Sequence, residues 1–437
     1  MKILVVGSGG REHAILWALK KTSSNSLDLY CAPGNAGIAQ LARCIPIPVT
    51  QIAALADFAT REGIDLTFVG PEGPLAAGIV DEFESRGLSV VGPSGAAARL
   101  EASKGFAKEF MDRHGIPTAR FRTARSAAEA IDILDGGELG ASDSPVVVKA
   151  DGLAAGKGVV VAPSRGVAEQ AVRELMEGSL VDPRAAEQIL IEEALQGREV
   201  SLLLFSDGRD YALMPAARDH KRVGDRDTGP NTGGMGAITD STVLDAGLLA
   251  RITREVVEPT LAGAQAEAFP FRGVLFIGLM LTDAGPRVLE YNVRFGDPET
   301  QAILVRLRTD LSEILLAMAN ATLANIKIEW TGESSACVVL ASGGYPGEYE
   351  TGAVINGLSA ESDEDGVQIF HAGTAKSASG NWTTSGGRVL GVTATGENLA
   401  DALARGYRRI SKIHWEGMQY RRDIGTFLSE PPALGGG

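Results

Sequence analysis

Short apolar runs separated by amphipathic stretches set the rhythm of the first hundred positions. Ile3–Val6, Leu27–Cys31, Leu66–Val69 and Ser89–Val91 predict strands. Glu12–Lys21, Ile52–Glu62 and Leu75–Arg86 predict helices between them. Strands alternating with helices of that length imply a parallel sheet with helical crossovers. Ligands of such sheets bind beyond the strand C-termini. Three glycine-rich turns fall there: Gly7-Ser-Gly-Gly10, Pro33-Gly-Asn-Ala-Gly37 and Gly70-Pro-Glu-Gly73.

The pattern changes near Ser103. A helix runs to about His114 and breaks at Gly115-Ile-Pro117. Residues 121–195 then read as strand, helix, strand–loop–strand, helix, strand. From Glu199 to about Ile328 the pattern gives hairpin strands, a glycine-rich loop (Thr228–Gly236) and a helix (Leu248–Ala262). Two core strands follow, Val274–Leu281 and Val288–Val293, joined by the turn Asp283-Ala-Gly-Pro. A last unit, about Glu333 to Phe427, has short strands and a helix at Leu399–Ile413. Ala433–Gly437 reads as a frayed tail.

With 437 residues the chain exceeds one core, so two to four units are expected. A net charge of −14 argues against coating nucleic acid. No run of about 20 apolar residues predicts a membrane span, and the N-terminus runs straight into a strand rather than a leader. Cys31, Cys44 and Cys337 are far apart without metal spacing, as in a reducing compartment. These traits predict a soluble, cytoplasmic, enzyme-sized protein.

Chemistry concentrates in a few tracts. Lys149-Ala-Asp-Gly-Leu-Ala-Ala-Gly-Lys-Gly158 reads as strand, glycine turn, strand. It fails the Walker loop by spacing, by Gly158 in place of Ser/Thr, and by the strand that follows. Either it is a solvated hairpin, or it is a lid over a polyphosphate. Glu290-x-Asn292 puts two oxygen ligands on one face of a strand, the sort of set that magnesium takes alongside nucleotide phosphates. Its dull alternative is a solvated edge. The run Ile189–Leu195, with Glu192 and Glu193, is either a buried strand or an adenine-reading edge. Asp219-His-Lys-Arg222 and Thr228–Gly236 form a polar tract suited to an anionic substrate. After the first strand, the third glycine of a dinucleotide fingerprint would fall at Glu12. The second strand ends in Cys31-Ala-Pro, not an acid, and this weighs against a redox cofactor. The turn could still hold a phosphate, helped by Arg11, or merely pack a helix on the sheet. His114, His371 and His414 read as structural or exposed; His13 is ambiguous.

Together these tracts resemble the ATP-grasp superfamily and, within it, the phosphoribosylamine–glycine ligases. The resemblance rests on Gly7-Ser-Gly-Gly-Arg-Glu-His13, Ala32–Gly37, Val69-Gly-Pro-Glu72, Val148–Gly158, Asp219–Arg222, Asp227–Gly236, Arg294-Phe-Gly-Asp-Pro-Glu-Thr300 and His371-Ala-Gly-Thr374. It implies a multidomain α/β and α+β fold. A Rossmann-like domain (1–103) would precede an ATP-grasp core (104–328, with lid subdomain 121–195) and a small C-terminal α+β domain (329–430). It implies a monomer whose ligands are ATP, Mg2+ or Mn2+, glycine and 5-phosphoribosylamine. Glycinamide ribonucleotide, ADP and phosphate would form through glycyl phosphate, a step of purine synthesis. Carried over by residue, Lys104, Lys149, Gly152, Gly156, Lys157 and Gly158 would meet the ATP phosphates. Glu192, Glu193 and Leu195 would line adenine, with Glu199 on ribose. Glu290 and Asn292 would hold the metal. Gly9 and Gly10 would hold the ribose phosphate of the amine. Asp219, Lys221, Arg294 and Asp297 would surround the acceptor centre, Arg294 clamping glycine. Ala194 stands where family members often carry an aromatic. Two rivals are a ligase or carboxylase with another acceptor, and a non-catalytic nucleotide sensor.

Overall fold

The apolar runs of the first hundred residues pair in parallel. The strands are β1 (Lys2–Gly7), β2 (Asp28–Pro33), β3 (Arg43–Cys44), β4 (Leu66–Val69) and β5 (Val90–Val91), in the order β3-β2-β1-β4-β5. The computed structural model describes residues 1–154, 158–178, 180–358 and 366–426. Register aligns Gly7 with Pro33 and Val6 with Val69. All three predicted glycine turns therefore leave one edge of the sheet side by side.

Residues 121–193 fold into a separate antiparallel sheet. Its strands are β6 (Phe121–Ala124), β7 (Val146–Ala150), β8 (Val159–Ala162) and β9 (Ile189–Glu193), in the order β6-β9-β7-β8. Helices Ala127–Asp135 and Arg165–Met176 cover one face and close a small core of Val146, Val148, Ile189, Ile191 and Leu175. This is the strand–helix order that the sequence predicts.

The rest of the chain builds a nine-stranded sheet. In chain order it uses β10 (Arg198–Asp207), β11 (Tyr211–Leu213), β12 (Ala217–Asp219), β15 (Gly236–Thr239), β16 (Arg272–Thr282), β17 (Gly285–Asn292), β18 (Ser334–Ala341), β19 (Val367–His371) and β22 (Arg388–Gly396). A separate hairpin, β13 (Arg222–Gly224) with β14 (Thr228–Asn231), and another, β20 (Thr374–Lys376) with β21 (Trp382–Thr384), lie off it. The order β17-β16-β10-β12-β15-β18-β22-β19 carries the sheet from the central residues into the C-terminal ones without a break. Leu4 and Val6 of the first sheet share one apolar cluster with Leu202, Ile277 and Tyr291 of the large one.

Several elements differ from the sequence reading. The helix expected over Leu75–Arg86 is two, Glu72–Ala76 and Ile79–Ser85, because Gly78 takes a left-handed φ of +81° between them. The helix expected at Leu248–Ala262 extends over 246–266 through a π turn at Thr253–Val257. The expected loop Thr228–Gly236 contains strand β14. Gly95–Ala102 adds an unpredicted helix capped by Ser94, whose Oγ accepts from Ala97 N at 3.3 Å. The tail at 433–437 lies outside the described residues.

Candidate active site

Lys149 is the penultimate residue of the apolar strand β7, and its ammonium turns into the protein. Its Nζ lies 2.9 Å from Glu192 Oε1, and Lys108 Nζ lies 3.0 Å from Glu192 Oε2. Glu192 and Lys108 are each 2% exposed. Burial, with Lys149 nearby, pulls Lys108 down to about 8 against the opposing pull of Glu192. Lys149 Nζ also donates to the Leu289 carbonyl at 3.3 Å. Lys104 opens the helix Lys104–Arg113 and donates from Nζ to Gly152 O at 3.1 Å. Its helix is fixed by Asp151, whose Oδ1 accepts from Gly105 N at 2.6 Å. A Cβ at Gly158 would come within 2.6 Å of Ala154 Cβ. Gly156 and Lys157 lie outside the described residues.

Glu193 points away from this group. Its carboxylate accepts from Arg120 N at 2.9 Å and Arg120 Nε at 2.7 Å. Leu195 follows β9 in the half-buried connection toward β10.

Glu290 and Asn292 lie on β17 with Tyr291 between them buried in the core. A bulge opposite Gly278/Leu279 leaves Leu289 half-buried rather than core-facing. Burial opposes ionisation of Glu290, yet Lys221, Lys149, Lys104 and Arg294 together hold it below the usual carboxylate range. Among the described residues, no cation pairs with Glu290 at ion-pair distance. Asn292 Oδ1 accepts from Arg294 at 3.2 Å. One ionised carboxylate and one amide oxygen, with converging lysines, fit a hard cation that draws its other ligands from phosphate and water. The described residues contain no cluster of three or more His, Cys, Asp or Glu able to hold a metal by themselves.

Lys221 belongs to the same charged group. Its Nζ donates to Glu199 Oε2 at 2.8 Å. Burial would lower Lys221, but Glu199, Asp219 and Glu290 outweigh it and raise it well above its ordinary value. Asp219, at the end of β12, is pushed up to about 6 by burial and by Glu199 and Glu290, against Lys221. Glu299 is pushed up to about 7 by burial and by Asp219. His220, between them in sequence, turns inward and accepts from Gly425 N at 3.0 Å. The hairpin after it is anchored by Arg421, which reaches Asp227 at 2.6 Å.

Arg294 is heavily engaged. Its guanidinium reaches Glu101 at 3.0 Å, Glu72 at 3.3 Å, Asn292 Oδ1 and the Phe295 carbonyl at 3.1 Å. A two-pronged grip on a carboxylate would require Glu72 or Glu101 to yield. Asp297 lies against the first glycine turn: Cβ atoms at Gly9 and Gly10 would be 3.8 and 3.9 Å from its carboxylate oxygens. This places the Gly9–Gly10 turn beside the Arg294–Glu299 loop.

Glu12 explains the broken dinucleotide fingerprint. Its Oε2 accepts from Gly9 N at 2.6 Å, and its side chain fills the space beside Gly7 and Gly70, where Cβ atoms would lie 2.4 Å from Glu12 Cγ and 2.2 Å from Oε1. Arg11 faces inward, paired to Glu12 at 2.6 Å and to the Phe295 carbonyl at 3.1 Å, so it is held away from a phosphate at the turn. His13 accepts from His371 N through Nδ1 at 2.8 Å, and both rings are buried. The sequence reading named Glu12 only as the break in the fingerprint, and did not single out Glu72, Glu101, Lys108, Gln301 or Arg388. Glu12 carries a signal, being the third helical residue after Gly9, where an acid returns to the cap. Lys108 stands one turn beyond Lys104 on one helix face. Arg388 carries no local signal, because its partners lie 91 and 155 residues away.

Residues 1–101, 102–300 and 335–427 match the phosphoribosylglycinamide synthetase N domain, ATP-grasp (A) domain and C domain. A phosphoribosylamine–glycine ligase of Chlorobaculum tepidum is 46% identical over 98% of this chain and 99% of that protein. The crystal structure of the Thermotoga maritima phosphoribosylamine–glycine ligase superposes with a TM-score of 0.82 at 35% identity, covering 97% of this chain and 100% of that one. A biotin carboxylase domain from Hydrogenobacter thermophilus shares the fold at a TM-score of 0.71 and 16% identity, covering 96% of this chain and 91% of that one. With a match that runs nearly end to end and three family segments in order, the chain belongs to the phosphoribosylamine–glycine ligase family.

Proposed function

We propose a division of labour for the reaction of this family on the residues above. The chain is an ATP-dependent carbon–nitrogen ligase. It joins glycine to 5-phosphoribosylamine through glycyl phosphate, giving glycinamide ribonucleotide, ADP and phosphate in purine synthesis. Mg2+ or Mn2+ would be held by Glu290 and Asn292, where it neutralises phosphate charge. Lys104 and Lys149 contact the ATP phosphates, under the Gly152–Gly158 turn with Gly156 and Lys157. Backbone groups of Glu192, Glu193 and Leu195 border adenine, while the Glu192 carboxylate fixes Lys149. Glu199 borders the ribose. The glycine carboxylate oxygen attacks the γ-phosphorus and ADP leaves. The amine nitrogen then attacks the glycyl carbonyl, phosphate leaves, and the nitrogen loses a proton. Arg294 and Lys221 supply positive charge to glycine. Asp219 and Asp297 border the acceptor, and the Gly9–Gly10 turn takes the ribose phosphate.

One observation carries this reading: Lys221, Lys149, Lys104 and Arg294 hold the buried Glu290 carboxyl below the usual carboxylate range, though none of them pairs with it. The proposed domains are 1–103, 104–328 and 329–430, supported by the three family segments. We also place the protein in the cytoplasm, as a working monomer, because a single chain supplies both half-sites; no helix of the described residues is long and apolar enough to cross a membrane. ADP release assayed with each of ATP, glycine and phosphoribosylamine omitted in turn tests the assignment. Turnover only with all three supports it. Full turnover with another carboxylate or amine, and none with this pair, overturns it.

A further inference from the structure

Arg388 begins β22 in the C-terminal part of the chain, and its guanidinium crosses into the centre. It donates to the Gly233 carbonyl at 2.6 Å, to the Asp297 carbonyl at 2.7 Å and to Asp297 Oδ2 at 3.1 Å. Gly233 makes room, since a Cβ there would lie 3.1 Å from the guanidinium carbon. The other carboxylate oxygen is held by Gln301, whose Nε2 donates to Asp297 Oδ1 at 2.7 Å. Gln301 is buried, and its Oε1 has no hydrogen-bond partner. Its Nε2 would lie 2.9 Å from a Cβ at Gly10. Asp297 is thus gripped at both oxygens, by a helix on one side and the C-terminal sheet on the other, and presented to the Gly9–Gly10 turn.

We propose that Arg388 and Gln301 are positioning residues for the amine-transfer half of the reaction, acting through Asp297. The proposal rests on the ligase reading above, with Asp297 beside the acceptor. Neither side chain lies among the residues assigned to ATP or the metal. Their loss is felt where the amine docks, not where phosphate is transferred. A lysine at 388 keeps the charge but cannot reach three acceptors in fixed directions.

Full-length wild type, Arg388→Lys, Gln301→Met and Asp297→Asn are compared by ADP release, each substrate varied in turn. In both positioning variants kcat/KM for phosphoribosylamine falls about tenfold or more, while KM for ATP and glycine stays within about twofold. Combined with Asp297→Asn, neither adds its full loss, because the sites act as one unit. An equal fall for all three substrates, a fully additive double variant or unchanged kinetics overturns the proposal. Gln301→Met keeps the test open if Arg388→Lys does not fold. A wild type idle with all three substrates overturns the ligase reading itself, a separate result.

Discussion

Lys149 and Glu192 meet diagonally across neighbouring strands, Nζ to Oε1 at 2.9 Å, with Lys108 on the second oxygen of the same carboxylate. One buried acid therefore orients two buried cations. Removing it strands both charges, which costs roughly 3–5 kcal/mol where a buried pair is broken. Glu192→Ala is expected to lower the urea midpoint accordingly and to weaken MgATP binding. An unchanged midpoint would show that water replaces the carboxylate.

Glu290 has no neighbouring cation at pairing distance among the described residues, so its charge remains available to a metal. Glu290→Ala is expected to cut turnover roughly a hundredfold or more, the scale for losing a main electrostatic element. The remaining activity should need more Mg2+. Wild-type rates at ordinary Mg2+ in the ADP assay would remove the metal assignment.

Glu12 ties down the first glycine turn through Gly9 N. Glu12→Ala frees that N–H and leaves Arg11 without its acid. KM for phosphoribosylamine is expected to rise about tenfold through lost positioning, with KM for ATP little changed. Equal KM values for the amine in variant and wild type would mean that the turn holds its shape unaided.

Asp219 and Glu299 hold protons more tightly in the folded chain, at about 6 and about 7: burial raises both, helped by Glu199 and Glu290 at Asp219 and by Asp219 at Glu299. Between about pH 4.5 and 7 the folded state then binds more protons than the unfolded one. This pair's contribution to stability falls as pH rises through that window. The stability of wild type relative to Glu299→Gln should fall from pH 5 to pH 7 in urea titrations. A constant gap would contradict the shift.

His13 and His371 act in the opposite sense. Burial, helped by a neighbouring charge in each case, lowers them to about 3 and about 4. Between about pH 4 and 6.5 the unfolded chain binds more protons, so their contribution is lost on acidification. A His13→Gln/His371→Gln double variant should show a flatter loss of stability from pH 6.5 to 4.5. Parallel curves for the two proteins would exclude these rings as the source.

The residues differ in how far a local reading could reach them. The strand–helix alternation of the first hundred residues and the strand–helix order of 121–193 were legible, because periodicity is set by neighbours in sequence. Glu290 and Asn292 were legible as a pair because alternation along a strand puts them on one face. Gly78 breaking a helix was less so, since glycine within an amphipathic run is compatible with either outcome. The crowding of Arg294 by Glu72 and Glu101 was hidden altogether. Those acids come from 222 and 193 positions earlier, and only the packing of the first sheet on the large one brings them there. The same distance concealed the grip on Asp297.

The ladder between β15 and β18, four paired residues from Gly236↔Val338 to Thr239↔Ser335, stitches the C-terminal third to the middle of the molecule. Hinging at that seam would require hydrogen bonds to rupture, and a truncation ahead of Ser334 would expose a raw, sticky border. The five-stranded sheet and the four-stranded sheet of 121–193, by contrast, share no strand with the nine-stranded one, so side-chain packing and loops alone join them to it.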